Sequence, residues 1–242
     1  GIGLATLYSA SNESTRLVTT QGAYFCVGLG VLWVASRVPA HLLKQATPPI
    51  YVVSLLPLVL VLFIGSGKYG NHWINLGFFN FQPSELTKLT LPMMLAWTLD
   101  RRRLPPRWST LAVALLVIAL PVGLILLQRD LGTAVLVLAS GVFVLFLAGV
   151  SWWWFGTAGV LAIGGFAVAM FAPMSWFSFL RPYQQNRILT FRDPENDPMG
   201  AGWNILQSKI AIGGGGLTGK GWGQGTQSHL DYLPEHTTDF AF

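Results

Sequence analysis

Polar chemistry gathers in one stretch of this 242-residue chain, Gly213 to Phe242. A glycine run leads into His229, Asp231, Glu235, His236 and Asp239, and an apolar segment opens at Phe240. Asp239 follows Thr237 and Thr238, so local rules make it a helix cap. A carboxylate held at a membrane surface beside a large loop has a second use. Partial burial would raise its pKa and fit it to act as a general base. His229 and His236 are candidate metal ligands, but two histidines seven residues apart in a loop are also what a solvated surface carries.

Three further places invite chemistry. Glu85 and Lys88 lie three apart after Pro83, a spacing that pairs them on one helical face. The pair either stabilises a helix start or lines a wet cavity at the end of a span, since charges in spans face interior sites. Asp130 precedes Leu131-Gly132-Thr133; a helix cap is the simpler account, and it is also a candidate substrate-binding or cavity residue, with Arg129 beside it able to meet an anion or water. Gly214 to Gly219 fits a nucleotide-binding glycine pattern, but no strand precedes it and Gly221 stands where a P-loop needs Ser or Thr. No nucleotide is assigned; mobile backbone with Lys220 would instead wrap a polar substrate.

The elements that must position these groups are membrane helices. The chain is 52% hydrophobic and 10% charged, against about 25% charged in a soluble domain. Apolar runs recur at the length a bilayer requires, about 20 residues. The expected architecture is all-α, a polytopic integral membrane helix bundle of about seven spans plus the start of an eighth near Asp239. The spans are read at about Gly22 to Ser36, Ile50 to Ile64, Pro83 to Leu99, Leu111 to Leu127, Leu131 to Val150 and Trp154 to Phe171, after an apolar remnant ending near Ser11. Arg37, Lys44, Arg101, Arg102, Arg103 and Arg107 put the loops 37–49 and 100–109 in the cytoplasm. Residues 173–238 then form a long extracytoplasmic loop, in which Trp203, Leu206 and Ile210 mark a short interfacial helix. The whole of 1–242 reads as one membrane domain, an internal segment of a larger protein without a signal peptide. The net charge of +5 fits cytoplasmic loops and anionic lipid or substrate rather than nucleic acid. The single cysteine, Cys26, excludes an internal disulfide.

Four motifs then carry a resemblance: Tyr8-Ser9-Ala10-Ser11, Phe81-Gln82-Pro83-Ser84-Glu85, Asp130-Leu131-Gly132-Thr133, and Leu233-Pro234-Glu235 with Thr238-Asp239-Phe240. Together they resemble the SEDS family of bacterial cell-wall polymerases. Gln207 to Gly213, Gly219 to Trp222 and Gly225 to Gln227 look like its elongation branch more than its division branch.

The resemblance implies ten spans in the whole protein and a peptidoglycan glycosyltransferase that polymerises lipid II, releasing undecaprenyl diphosphate. It implies Asp239 as the base, Glu85 and Lys88 as the cavity pair of the fourth span, and Trp73 as a loop tryptophan needed for activity. Lys209, Lys220, Arg187 and Arg181 are candidates to balance the diphosphate, a task a divalent cation, Mg or Mn, would share. Implied partners are a class B penicillin-binding protein, other elongation-complex membrane proteins and membrane lipids. The implied place is the bacterial inner membrane with the active site on its outer face. The chain departs from the family at His72, where arginine is common, at Arg129, where proline is common, and at Ala241, where isoleucine is usual. A flippase or transporter for a lipid-linked precursor is the other reading of charged groups at span ends, as is the division-type polymerase. The 242 residues alone are expected to be inactive.

Overall fold

The computed structural model describes residues 2–11, 14–65, 72–75, 77, 80–100, 102, 104–180, 182–196, 202–216 and 219–221. The chain divides into two compact units, residues 37–160 and residues 1–36 with 161–242.

The first of these units is a helix bundle. It contains α3 (Ala40–Ile64), a two-stranded hairpin of β1 (Ile74–Asn75) and β2 (Asn80–Phe81), α4 (Pro83–Asp100), α5 (Trp108–Leu127), α6 (Leu131–Leu147) and the start of α7 (Trp152–Phe171). Its buried stripes are legible in the spacing. In α3 they are Thr47, Tyr51, Ser54, Leu58 and Val61, a four-three repeat that keeps one face inward. In α6 they are Ala134, Val137, Gly141 and Leu145. Leu58, Leu91, Leu95, Ala114, Ile118, Ile125 and Val137 meet in one core. Helix α4 sits centrally, packed on α3, α5 and α6. It is also the helix that carries buried Ser84, Thr87 and Thr90 among its leucines. At Gly141 the helices approach so closely that a Cβ would lie 2.8 Å from Ile118 Cγ1 and 3.4 Å from Leu95 Cδ1.

The proline inside α5 is answered by a side chain of α3. Pro121 of α5 has no N–H, so it leaves the carbonyl of Val117 without its helical partner. The Tyr51 hydroxyl, from α3, donates to that carbonyl at 2.7 Å. Next to it, Ser54 donates to the Tyr51 carbonyl at 2.7 Å and meets Thr90 of α4 at 2.9 Å.

Three boundaries differ most from the sequence reading. Helix α2 begins at Thr15 rather than near Gly22, so Arg16 is helical. The third span was expected to begin after Pro48-Pro49, with 37–49 as a loop. Instead α3 begins at Ala40 and runs through both prolines. The buried stripe starting at Thr47 crosses them, and its packing outweighs two lost backbone bonds. Lys44 is therefore helical, and it ion-pairs with Asp100 at the end of α4. The glycine run was expected to be mobile from Gly213, yet α9 (Trp203–Gly215) includes three of its glycines and ends at Gly216, whose φ of 56° needs no Cβ.

In the second unit, α1 (Ile2–Ala10) packs on α2 (Thr15–Ser36), and the remainder of α7 leads to a helical turn at Met174–Phe177, then α8 (Pro182–Arg192) and α9. Helix α8 was not anticipated. It is latched to the end of α7: Arg192 Nε donates to the Ala169 carbonyl at 2.7 Å and Phe191 meets Phe166 edge-on. Gln185 Nε2 also donates to the carbonyls of Phe177 and Leu180. A short helix is present where one was expected at Trp203–Ile212, as α9; along its expected apolar face Trp203 and Leu206 are half-buried and Ile210 is exposed.

Among the described residues, α2, α3, α5 and α7 are long and apolar enough to cross a membrane, and α6 is a shorter apolar helix. Helices α2 and α7 carry no buried residue, so their apolar sides demand a non-aqueous surrounding.

Candidate functional site

One end of the first unit collects the candidate residues on it. The end of α3, the hairpin, the start of α4, the end of α5 and the start of α6 all lie there. Pro83 opens α4, the Gln82 carbonyl accepts from the Glu85 amide at 3.1 Å, and Glu85 and Lys88 form the expected ion pair, 2.7 Å between Oε2 and Nζ. Their side chains stay 55% and 35% exposed, so solvent screens the attraction and leaves both groups reachable. Between them in sequence, Thr87 faces the core and is fully buried.

Asp130 does more than cap. Its Oδ1 accepts from the Thr133 amide at 3.0 Å, the bond a helix N-cap makes. Its Oδ2 accepts from Gln82 Nε2 at 3.1 Å. The preceding corner is tight: Arg129 takes a φ of 64°, a left-handed conformation that costs a side chain about 1–2 kcal/mol. The corner is held from beneath, because Gln128 is buried and its Nε2 donates to the Leu58 carbonyl of α3 at 3.0 Å.

Trp73 directly precedes the hairpin and is 37% exposed. The hairpin pairs Ile74 with Phe81 and Asn75 with Asn80. Its turn uses Gly77 at a φ of 87°, with the Gly77 amide donating to Asn75 Oδ1 at 2.7 Å. The His72 ring lies 6.3 Å from that of Trp73, and its Nδ1 is buried with no hydrogen-bond partner among the described residues. The structure thus gathers Trp73, Glu85, Lys88 and Asp130, from segments up to 57 positions apart, at one end of one bundle.

The remaining candidates belong to the second unit. Arg187 is exposed on α8 and Lys209 on α9. Lys220 folds back over the carboxy-terminal turn of α9, with Nζ 3.5 Å from where a Cβ on Gly214 would be. A cation there meets the negative end of the helix. Asp239, Arg181, His229 and His236 lie outside the described residues. Among those described, no three His, Cys, Asp or Glu side chains gather as metal ligands do. The contacts of Gln82, Gln128 and Tyr51 were not read from the sequence. Each acts on a group dozens of residues away, and local spacing carries no sign of it.

A bundle of apolar helices wrapped around a semi-polar central helix, open to polar groups at one end, defines a polytopic membrane protein. The chain belongs to the FtsW/RodA/SpoVE cell cycle protein family, whose model matches residues 2–242. It is 42% identical to the peptidoglycan glycosyltransferase MrdB of Escherichia coli K12, over 98% of this chain and 62% of that protein. It is 37% identical to a probable peptidoglycan glycosyltransferase FtsW of Trichlorobacter lovleyi, over 98% of this chain and 64% of that one. The chain therefore spans less than two thirds of the length of these relatives. Among solved structures it resembles a chain of a peptidoglycan synthase complex described as coordinating polymerization and crosslinking, with a TM-score of 0.67 and 35% identity over 87% of this chain and 61% of that one. It also resembles the rod shape determining protein RodA of Thermus thermophilus, with a TM-score of 0.58 and 29% identity over 86% of this chain and 69% of that one. The apolar helices and these relatives make it a bacterial inner-membrane protein.

Proposed function

We propose that the protein to which this chain belongs is a peptidoglycan glycosyltransferase of the elongation branch, polymerising lipid II at the outer face of the inner membrane. The observation that carries the reading is the exposed Glu85–Lys88 pair at the start of the central helix, on the same bundle end as Trp73 and the Asp130 corner, in a chain whose relatives are named peptidoglycan glycosyltransferases.

In this reading the acceptor sugar's 4-hydroxyl loses its proton to the Asp239 carboxylate as its oxygen attacks C1 of the lipid-linked donor. The new C1–O bond forms as the bond from C1 to the diphosphate breaks, and undecaprenyl diphosphate leaves with its electron pair. Asp239 supplies general-base catalysis, worth about 10²–10⁴-fold. Lys88 offers a cation and Glu85 an acceptor at the wet end of the bundle, and Arg187, Lys209 or Lys220 would balance the leaving diphosphate. Mg or Mn would assist that neutralisation if bound. A class B penicillin-binding protein, which crosslinks the strand, is the partner that the synthase-complex likeness supports.

The test is polymerisation of purified lipid II by the full-length protein. Asp239→Asn is expected to abolish polymer while leaving a folded, monodisperse protein. Normal turnover in that variant, or lipid translocation across vesicles with no polymer from the unaltered protein, defeats the reading.

A further inference from the structure

Asp130 differs from the other polar groups at this end because the protein already engages both of its oxygens, Oδ1 through Thr133 and Oδ2 through Gln82. Gln82 is equally committed: its side chain reaches α6 while its carbonyl accepts from Glu85 in the first turn of α4. Helices α4 and α6 start at the same end and run the same way, as the approach of Leu95 to Gly141, each well past the middle of its helix, confirms. Parallel neighbours place two positive helix ends side by side, an unfavourable arrangement. The Asp130 carboxylate sits between them and offsets it, and the Gln82 amide ties the two starts together.

We propose that Gln82 and Asp130 form a clamp that fixes the register of the amino-terminal ends of α4 and α6, and through α4 positions the Glu85–Lys88 pair. Gln82 is a positioning residue. Asp130 serves the same clamp and is not a group that handles substrate protons. The assignment rests on the polymerase reading only for its effect on activity.

Four variants of the full-length protein test it, each read by lipid II polymerisation and by amide hydrogen exchange over the first turn of α6. Gln82→Glu sets two carboxylates face to face and Gln82→Ala removes the bond. Each is expected to lower kcat by about tenfold, the equivalent of one charge-assisted hydrogen bond, and to speed exchange at Thr133. Asp130→Asn keeps the cap through its Oδ1, while its amide donates to a flipped Gln82; exchange at Thr133 is expected within about threefold of the unaltered protein, as a neutral bond replaces a charged one. The double variant Gln82→Glu with Asp130→Asn rebuilds the bond with donor and acceptor exchanged. It is expected to recover most of what Gln82→Glu alone loses, in both readouts.

Full activity in Gln82→Glu and Gln82→Ala, or a double variant no better than Gln82→Glu, overturns the proposal. So does an inactive Asp130→Asn with unchanged exchange, which would give the carboxylate a chemical role. If the unaltered protein makes no polymer from lipid II, the polymerase reading falls, and the exchange series alone decides the clamp.

Discussion

Single residues settle how the bundle tolerates its own irregularities. Tyr51 covers the carbonyl that Pro121 leaves open, at 2.7 Å. Tyr51→Phe keeps the ring and removes only the donor, so it is expected to destabilise the protein by about 1–3 kcal/mol, the cost of an orphaned buried polar group. Thermal unfolding in detergent measures it, and an unshifted midpoint would show that water or another donor fills the gap. The Glu85–Lys88 pair asks the opposite question, because it is exposed and contributes little to stability, about 0.3–0.5 kcal/mol as a helix pair. The exchange Glu85→Lys with Lys88→Glu preserves the pair but reverses it. Folding is expected to survive within about 1 kcal/mol, while lipid II polymerisation is lost. Retained polymerisation would reduce the pair to a helix-start device.

At the scale of elements, packing rather than propensity sets the outcome. Helix α3 runs through Pro48 and Pro49 because the stripe from Thr47 to Val61 is buried on its partners, and the glycines of α9 remain helical until a positive φ at Gly216 ends it. Among the described glycines, the tightest position is Gly141. Gly141→Val would press on Ile118 and Leu95, and Ile118 Cγ1 is only 2.8 Å from the first added carbon. Such overpacking is expected to cost about 1–3 kcal/mol, seen as a lowered unfolding midpoint. Ile118→Ala, which removes the obstructing atoms, is expected to restore part of the loss in the double variant. Independent, additive effects would mean that α6 shifts away rather than meeting Ile118.

For the molecule as a whole, α2 and α7 bury nothing, and exposed Leu, Val, Phe and Trp side chains cover both units. An apolar surface of that extent exists only in contact with lipid or further protein. The protein is expected to stay with the membrane through alkaline carbonate and high-salt washes and to leave only with detergent. Release by carbonate would contradict the membrane reading of all four long helices.

The sequence by itself determined the class and the short-range chemistry. Long apolar runs require a membrane because no polar surface could cover them. The Asp130 cap and the Glu85–Lys88 pair were legible because their partners lie three residues away, where helix geometry alone brings them together. The tertiary structure decided the rest. Gln82 meets Asp130 across 48 positions, Tyr51 meets Val117 across 66, and Gln128 meets Leu58 across 70. Such contacts depend on which helices are neighbours, in which direction and at what height. That choice is made by the summed packing of buried stripes and leaves no mark in the local spacing of any one segment.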